Sequence, residues 1–430
     1  MSGLGERIKS HVVEPAVLRV LQWRGDPVAR MLRPATKADP YPLYAQVRQR
    51  GLVRSSLGVF AAADHATAAS ILRDRRFSSS PVHQPGYRPP SSYPPDDPRS
   101  RLPGPDMLTM DPPDHTRLRR LVSGAFTPRA IAGLEPWIRE VTVRLLTAAD
   151  GADGFDLTDT LAFPLPIAVI CHLLGVPAAD QAQFRVWGHD VAATLDPMTA
   201  AATQTQTYAA ELALTRYLED LVRERRANPD DSILSALIAA EEEGDRLSSA
   251  EVVSTALLLL IAGFETTVNL IGNGTVALLG DPDGWDRLRQ DPALVPAAVE
   301  EMLRYDSPVQ MTARTATEDV EVSGTVIPAG RSAIVLIGGA NRDSEVFEQP
   351  DEFRIDRPDP GRHLAFSLGT HHCLAPSLAR LEGRVAIEEL TRRYPALELA
   401  APPTRRPLLV LRGFESVPVR AKRTASQFAA

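Results

Sequence analysis

Residues 248–282, "SSAEVVSTALLLLIAGFETTVNLIGNGTVALLGDP", constrain this chain more than any other stretch. Ser248 followed by Glu251 has the spacing of a capping box, and Gly280-Asp281-Pro282 ends the run, so the sequence predicts one helix of about 32 residues. At about 1.5 Å per residue it is about 48 Å long, enough to cross a whole domain. Because it is apolar nearly all round, it has to be buried, and the rest of the chain must wrap around it.

The middle of that helix is chemically odd. Ala262, Gly263, Glu265, Thr266 and Thr267 fall within two turns. An interior glycine costs about 0.5–1 kcal/mol relative to alanine, and a buried carboxylate is expensive unless it is paired. Two readings stay open: a close helix crossing at Gly263 with threonine hydroxyls bonded back to carbonyls, or a flat, bulky ligand lying on Ala262 and Gly263 with Glu265 and Thr266 as a proton path beside it.

From about residue 108 to 311 the pattern is helical throughout. Strand signals are confined to "GLVRSSLGVFAAAD", "EDVEVSGTVIPAGRSAIVLIG" and "RPLLVLRGFESVPVR". The expected fold is therefore mainly α with a small β-sheet region assembled from sequence-distant pieces, a single intertwined domain. A 44% hydrophobic content supports such a core, and a net charge of −7 argues against nucleic acid as a partner. Two cysteines exclude a disulfide framework, and no secretory signal opens the chain, so a cytoplasmic location is expected.

Near the N-terminus, "HVVEPAVLRVLQWRGDPVARML" is interrupted by Glu14, Arg19, Arg24 and Asp26, so no transmembrane segment is predicted there. A short amphipathic helix on the body is expected, with membrane-surface association as the alternative. Residues 78–106 are dense in Pro, Ser and Gly and read as a long loop, a candidate mobile lid.

Cys373 stands in "FSLGTHHCLAPSLAR" after His371 and His372, between a glycine-containing loop and a helix start. Three chemistries can use these residues. Zinc needs a second ligand cluster, whereas the other cysteine, Cys171, lies in an apolar run that reads as core. A cysteine nucleophile needs a base and an orienting group, and no nucleophile signature surrounds Cys373. The third is a thiolate bound to haem iron, favoured by the helix start and donating electron density that promotes O–O cleavage. Glu301 and Arg304, three apart in "VPAAVEEMLRYDSP", share one helix face; such a pair alone is ordinarily a surface salt bridge.

With these motifs in hand, the chain resembles a bacterial cytochrome P450, a haem-thiolate monooxygenase. The haem-loop pattern is matched by Phe366, Gly369, His371 and Cys373, the oxygen-activating helix by Ala262, Gly263, Glu265 and Thr266, and the Glu-x-x-Arg pair by Glu301 and Arg304. "DPPDHTRLRRLVSGAFTPR" is similar to the family's helix at the haem edge, with His115 and Arg119 one turn apart. The resemblance covers residues 38–430 and leaves 1–37 as an N-terminal extension.

The resemblance implies haem b with Cys373 as iron ligand, and His115, Arg119, Arg314 and His371 on its propionates. It makes Glu265 and Thr266 the catalytic pair for proton delivery. Glu301 and Arg304 become structural, with Arg354 or Arg357 completing their network. It puts Val309, Gln310, Met311, the 78–106 loop and the turn at Phe414 and Glu415 around a lipophilic small-molecule substrate. O2 would be co-substrate, with NAD(P)H electrons arriving through a separate ferredoxin and ferredoxin reductase; Arg117, Arg120, Arg129 and Arg384 read either as a basic patch for ferredoxin docking or as a solvated helix face. A peroxide-driven peroxygenase and a non-catalytic haem-thiolate sensor are the alternatives. Two positions depart from the family pattern: Ser367 and Ala375 replace glycines, and serine carries a conformational penalty if position 367 has positive φ.

Overall fold

The computed structural model describes residues 14–84, 86–94, 96–102, 104–150, 153–192, 201–242 and 247–421. The predicted long helix is present as Ser249–Leu279. Ser248 Oγ accepts from the Glu251 N–H at 3.2 Å, and the Glu251 carboxylate accepts from the Ser248 N–H at 2.8 Å, closing the capping box. It is the one described helix long and apolar enough to span a bilayer, and most of it is buried inside the protein. Packed around it are Pro164–Leu174, Val295–Tyr305 and the C-terminal helix Pro376–Arg393. At the crossing with Pro164–Leu174, a Cβ on Gly263 would come within 2.8 Å of Ile170, so glycine lets the two backbones approach.

The strands are β1 (Val53–Arg54), β2 (Phe60–Ala62), β3 (Phe77–Ser78), β4 (Phe155–Asp156), β5 (Thr312–Ala316), β6 (Val320–Val322), β7 (Thr325–Ile327), β8 (Ser332–Val335), β9 (Leu397–Leu399), β10 (Thr404–Arg405), β11 (Phe414–Ser416) and β12 (Pro418–Ala421). One sheet has the order β1-β2-β8-β5-β3, with β2 and β8 parallel and the other pairs antiparallel. Its members come from both ends of the sequence, which is why the helical body and the sheet cannot be separated into two domains. The sequence predicts a strand pair around the turn at Ile327–Gly330. Instead β7 turns back on β6, and β8 crosses to the five-stranded sheet.

Of the N-terminal extension, residues 1–13 lie outside the described residues, and the chain from residue 14 onward is helical at Glu14–Trp23, Pro27–Met31 and Pro34–Ala38. The described residues of 78–106 hold the end of β3 and three short 3-10 turns.

Candidate active site

A cavity of about 300 Å³ lies between the middle of the core helix and the cysteine loop. One wall is Ala262, Gly263, Thr266, Thr267 and Leu270; the facing wall is Phe366, His371, Cys373, Leu378 and Glu382. The close helix crossing is present, and the same residues border a cavity. Gly263 packs on Ile170 and still borders the cavity, while the Thr266 hydroxyl donates back to the Ala262 carbonyl at 3.1 Å.

The loop around Cys373 is a tight, strained turn. The Cys373 N–H donates to the Phe366 carbonyl at 2.8 Å, and the Ser367 N–H to Leu364 at 2.8 Å. Ser367 has φ +58°, so the penalty expected for serine applies. Ala375, at φ −118°, needs no glycine. Gly369 is required for another reason than contact with a ligand: at φ +69° a Cβ would come within 2.3 Å of the Leu72 carbonyl. It wedges the loop against the helix His65–Arg73 and is not among the residues that line the cavity.

A helix start behind the loop is expected to favour the thiolate. The structure reverses that balance. Burial pushes the Cys373 thiol above its ordinary value, outweighing the Ala375 N–H and the Arg119 and Arg380 guanidiniums that pull it down. Only a cation bound at the sulfur would hold it ionised. Cys171 is a core residue, its thiol pushed up to about 12 by burial.

His115, Arg119, Arg314 and His371 do converge at one end of the cavity. The His115 and His371 ring centroids are 4.5 Å apart. Arg119 donates to the Thr370 and Cys373 carbonyls at 3.4 and 3.3 Å, and Arg314 to Thr312 Oγ1 and the Ala313 carbonyl at 2.9 and 2.8 Å. Burial lowers the Arg314 guanidinium to about 10, with Asp111 acting against it. Burial, then Arg314 and His115, hold the His371 imidazole at about 3. Among the described residues no carboxylate forms an ion pair with Arg119 or Arg314. The nearest in electrostatic reach, Asp111, is engaged by Ser78 and Ser79. His115 Nδ1 is buried with no hydrogen-bond partner. Buried cations and donors left open in this way match a ligand that brings its own carboxylates. With the inward-facing sulfur, the donor set fits an iron porphyrin carrying propionates.

Glu265 is not where the sequence reading put it. It is 1% exposed, does not line the cavity, and forms a buried ion pair with Arg406. A carboxylate buried beside an aliphatic helix takes the strongest charge partner in reach, and here that partner comes from beside β10, 141 residues away. Three residues expected at the substrate pocket lie away from this cavity. Val309 lines the cavity, but the Gln310 amide donates to the Ser307 carbonyl at 2.8 Å and packs on Gly338. Met311 belongs to a separate buried cluster with Tyr44 and Leu336. Phe414 is buried in the main core beneath Arg405, at 4.0 Å, and Glu415 is exposed. On β5 the period-two alternation turns Thr312 and Arg314 to the cavity. The loop contributes Met107 and Leu108 just beyond its expected end, and none of the described residues 78–106.

Glu301 and Arg304 form a bidentate pair, 2.7 and 2.8 Å, with both side chains 0% exposed. The open choice between Arg354 and Arg357 resolves into two roles. The Arg357 guanidinium binds Glu301 at 2.9 and 3.0 Å, while Arg354 supplies its backbone N–H at 2.9 Å. One residue escaped the sequence reading altogether. Glu382, on the cavity wall, is fully buried with neither oxygen hydrogen-bonded among the described residues, and burial drives its carboxyl well above the usual range. Its only signal was an acidic residue one turn past Leu378, on the face of an otherwise buried helix.

The cytochrome P450 family model matches residues 97–410. The chain is 42% identical to the cytochrome P450 monooxygenase PikC of Streptomyces venezuelae over 398 residues, 90% of this chain and 92% of that one. It is 43% identical to the vitamin D(3) 25-hydroxylase of Pseudonocardia autotrophica over 371 residues, 84% and 88% of the two chains. The crystal structure of ligand-free Mycobacterium smegmatis CYP164A2 superposes with a TM-score of 0.84 at 38% identity, covering 92% of this chain and 99% of that one. Likeness of that extent, running through the core helix and the cysteine loop alike, leaves one assignment: the chain belongs to the cytochrome P450 family of haem monooxygenases.

Proposed function

We propose that the chain inserts one oxygen atom of O2 into a C–H bond of a lipophilic small molecule, with electrons relayed from NAD(P)H by a separate ferredoxin reductase and ferredoxin. The observation that carries this reading is an inward-facing Cys373 lining one cavity with His115, Arg119, Arg314 and His371, none of them ion-paired to a carboxylate among the described residues, across from Ala262 and Gly263. Cys373 would hold the iron of haem b, and His115, Arg119, Arg314 and His371 its propionates. When bound, haem supplies the oxygen activation; the protein supplies everything that aims and feeds it.

Thr266 presents a hydroxyl to the cavity, poised to pass a proton. Glu265 reaches it only by leaving Arg406, so that ion pair sets when the carboxylate is available. Leu258, Leu259, Ile170, Val309 and Ile337 exclude water and orient an apolar substrate. The vitamin D(3) relative supports a hydrophobic scaffold; fatty acids, terpenoids or steroids and natural-product scaffolds all suit such walls. For electron delivery, Arg117 is engaged by Glu251 and Asp114, and Arg384 by Glu135 and Glu388. Arg120 and Arg129 are the exposed remainder for a ferredoxin to meet.

A reduced, carbon monoxide-bound spectrum with a strongly red-shifted Soret band is expected, and a colourless protein overturns the reading. Thr266→Ala is expected to consume reductant and release hydrogen peroxide in place of product. A peroxide-driven reaction is the second reading, favoured by one observation: Glu265 is turned from the cavity onto Arg406. Turnover with peroxide exceeding turnover with a ferredoxin system selects it.

A further inference from the structure

The helix Glu14–Trp23 is apolar on two sides, and only one of them is packed. Leu18, Leu21 and Gln22 face inward, and the Gln22 amide donates to the Ala29 carbonyl at 3.0 Å. On the other side Ala16, Val17, Val20 and Trp23 fall within about a third of the helix circumference at 100° per residue. Val17 is 49% exposed, Val20 48% and Trp23 83%. Among the described residues eight large apolar side chains are strongly exposed, and Leu57 joins these three at the same corner. The β1–β2 turn that carries Leu57 is fixed there by Asp26, whose carboxylate accepts from the Ser55 hydroxyl and the Ser56 N–H at 2.9 and 2.6 Å. Half of the strongly exposed apolar side chains on one corner is a concentration that a solvent-facing surface does not need.

The charge around this corner names its partner. Residues 14–37 carry five Arg and Lys against two Asp and Glu, in a chain whose total is −7. Arg19 borders the apolar stripe, Arg24 follows the last residue of the helix, and Arg54 lies on β1; among the described residues none of the three meets a carboxylate. Trp at the edge of an apolar stripe, bordered by free guanidiniums, is the composition of a helix lying in the interface of an anionic bilayer. A second copy of this chain would present the same cations to themselves.

We propose that the helix Glu14–Trp23, with the Leu57 turn beside it, docks this enzyme peripherally on anionic membrane surfaces. The proposal does not depend on the reading of the haem site. The full-length, pigmented protein is sedimented with vesicles of phosphatidylcholine alone and of an equal mixture with phosphatidylglycerol. Recovery with the mixed vesicles is expected to exceed that with phosphatidylcholine severalfold and to fall about fivefold in Val20→Ser/Trp23→Ser. Arg19→Glu/Arg24→Glu is expected to reproduce the loss caused by high salt. The emission difference between the parent and Trp23→Phe is expected to move to shorter wavelength on the mixed vesicles. Equal recovery from both vesicle types, or recovery indifferent to the Val20/Trp23 pair, overturns the proposal. So does a fall in sedimentation coefficient on the Val20/Trp23 change without vesicles, which assigns the stripe to self-association.

Discussion

Two clusters of arginine in this protein are built on opposite principles. Around Glu301, two guanidiniums and a backbone N–H saturate one carboxylate, and the remaining donors of Arg304 reach the carbonyls of Asn341, Pro350 and Glu352 at 2.7–3.0 Å. At the cavity edge, Arg314, Arg119 and two imidazoles are gathered with no carboxylate in contact. Burial costs a charge in both places, most at the fully buried Arg304 and least at the half-buried Arg119. The first cluster meets that cost within the chain and is a structural tie. The second leaves it unmet, which only a bound anionic group repairs. Closure within the chain, more than burial or residue type, separates scaffold from site.

The largest effect that sharpens this contrast lies at the sulfur: Cys373→Ser is expected to abolish the thiolate-type carbon monoxide spectrum and all turnover while leaving the far-ultraviolet circular dichroism unchanged. Next, Glu301→Gln strands two buried guanidiniums and is expected to cost about 3–5 kcal/mol in urea unfolding, the range for breaking a buried pair. Arg314→Ala is expected to behave oppositely. Removing an unneutralised cation leaves the haem-free protein within about 1 kcal/mol of the parent, while haem transfer to apomyoglobin accelerates about tenfold. If Arg314→Ala destabilises the haem-free chain as Glu301→Gln does, the distinction between the clusters fails. Ser367→Gly relieves a left-handed serine and is expected to gain about 0.5–1 kcal/mol.

The smallest effect is one of pH. Burial raises the Glu300 carboxyl, but hydrogen bonds from Arg380 and His363 outweigh it and bring it from 4.5 to about 2. A carboxyl depressed on folding contributes stability that is complete above its unfolded value and is lost as pH falls through the folded one. The parent should therefore lose stability between about pH 4.5 and 2, and Glu300→Gln should flatten that part of the unfolding curve.

How much of this was legible beforehand depends on the range of the interaction. The core helix, its capping box and the strain at Ser367 rest on neighbours within a few residues, and the sequence displays them. The convergence of His115, Arg119, Arg314 and His371 was reached through the family resemblance and not through spacing. Glu265, Gln310, Met311 and Phe414 went astray because each has a near-equal choice of two faces. Arg406, the Tyr44 cluster and Arg405 make that choice from far along the chain, whereas Gln310 turns back on the Ser307 carbonyl three residues before it.

The sequence by itself determined that a long apolar helix with a glycine at its centre must be buried, and that a lone cysteine would close a loop at a helix start. Tertiary structure alone decided that Glu265 faces Arg406, that Glu382 is walled in without a partner, and that burial overrides the helix start at Cys373. The reason is electrostatic. Patterning comes from each residue's own solvation and its immediate neighbours, whereas the state of a buried charge is set by whichever distant group the fold brings against it.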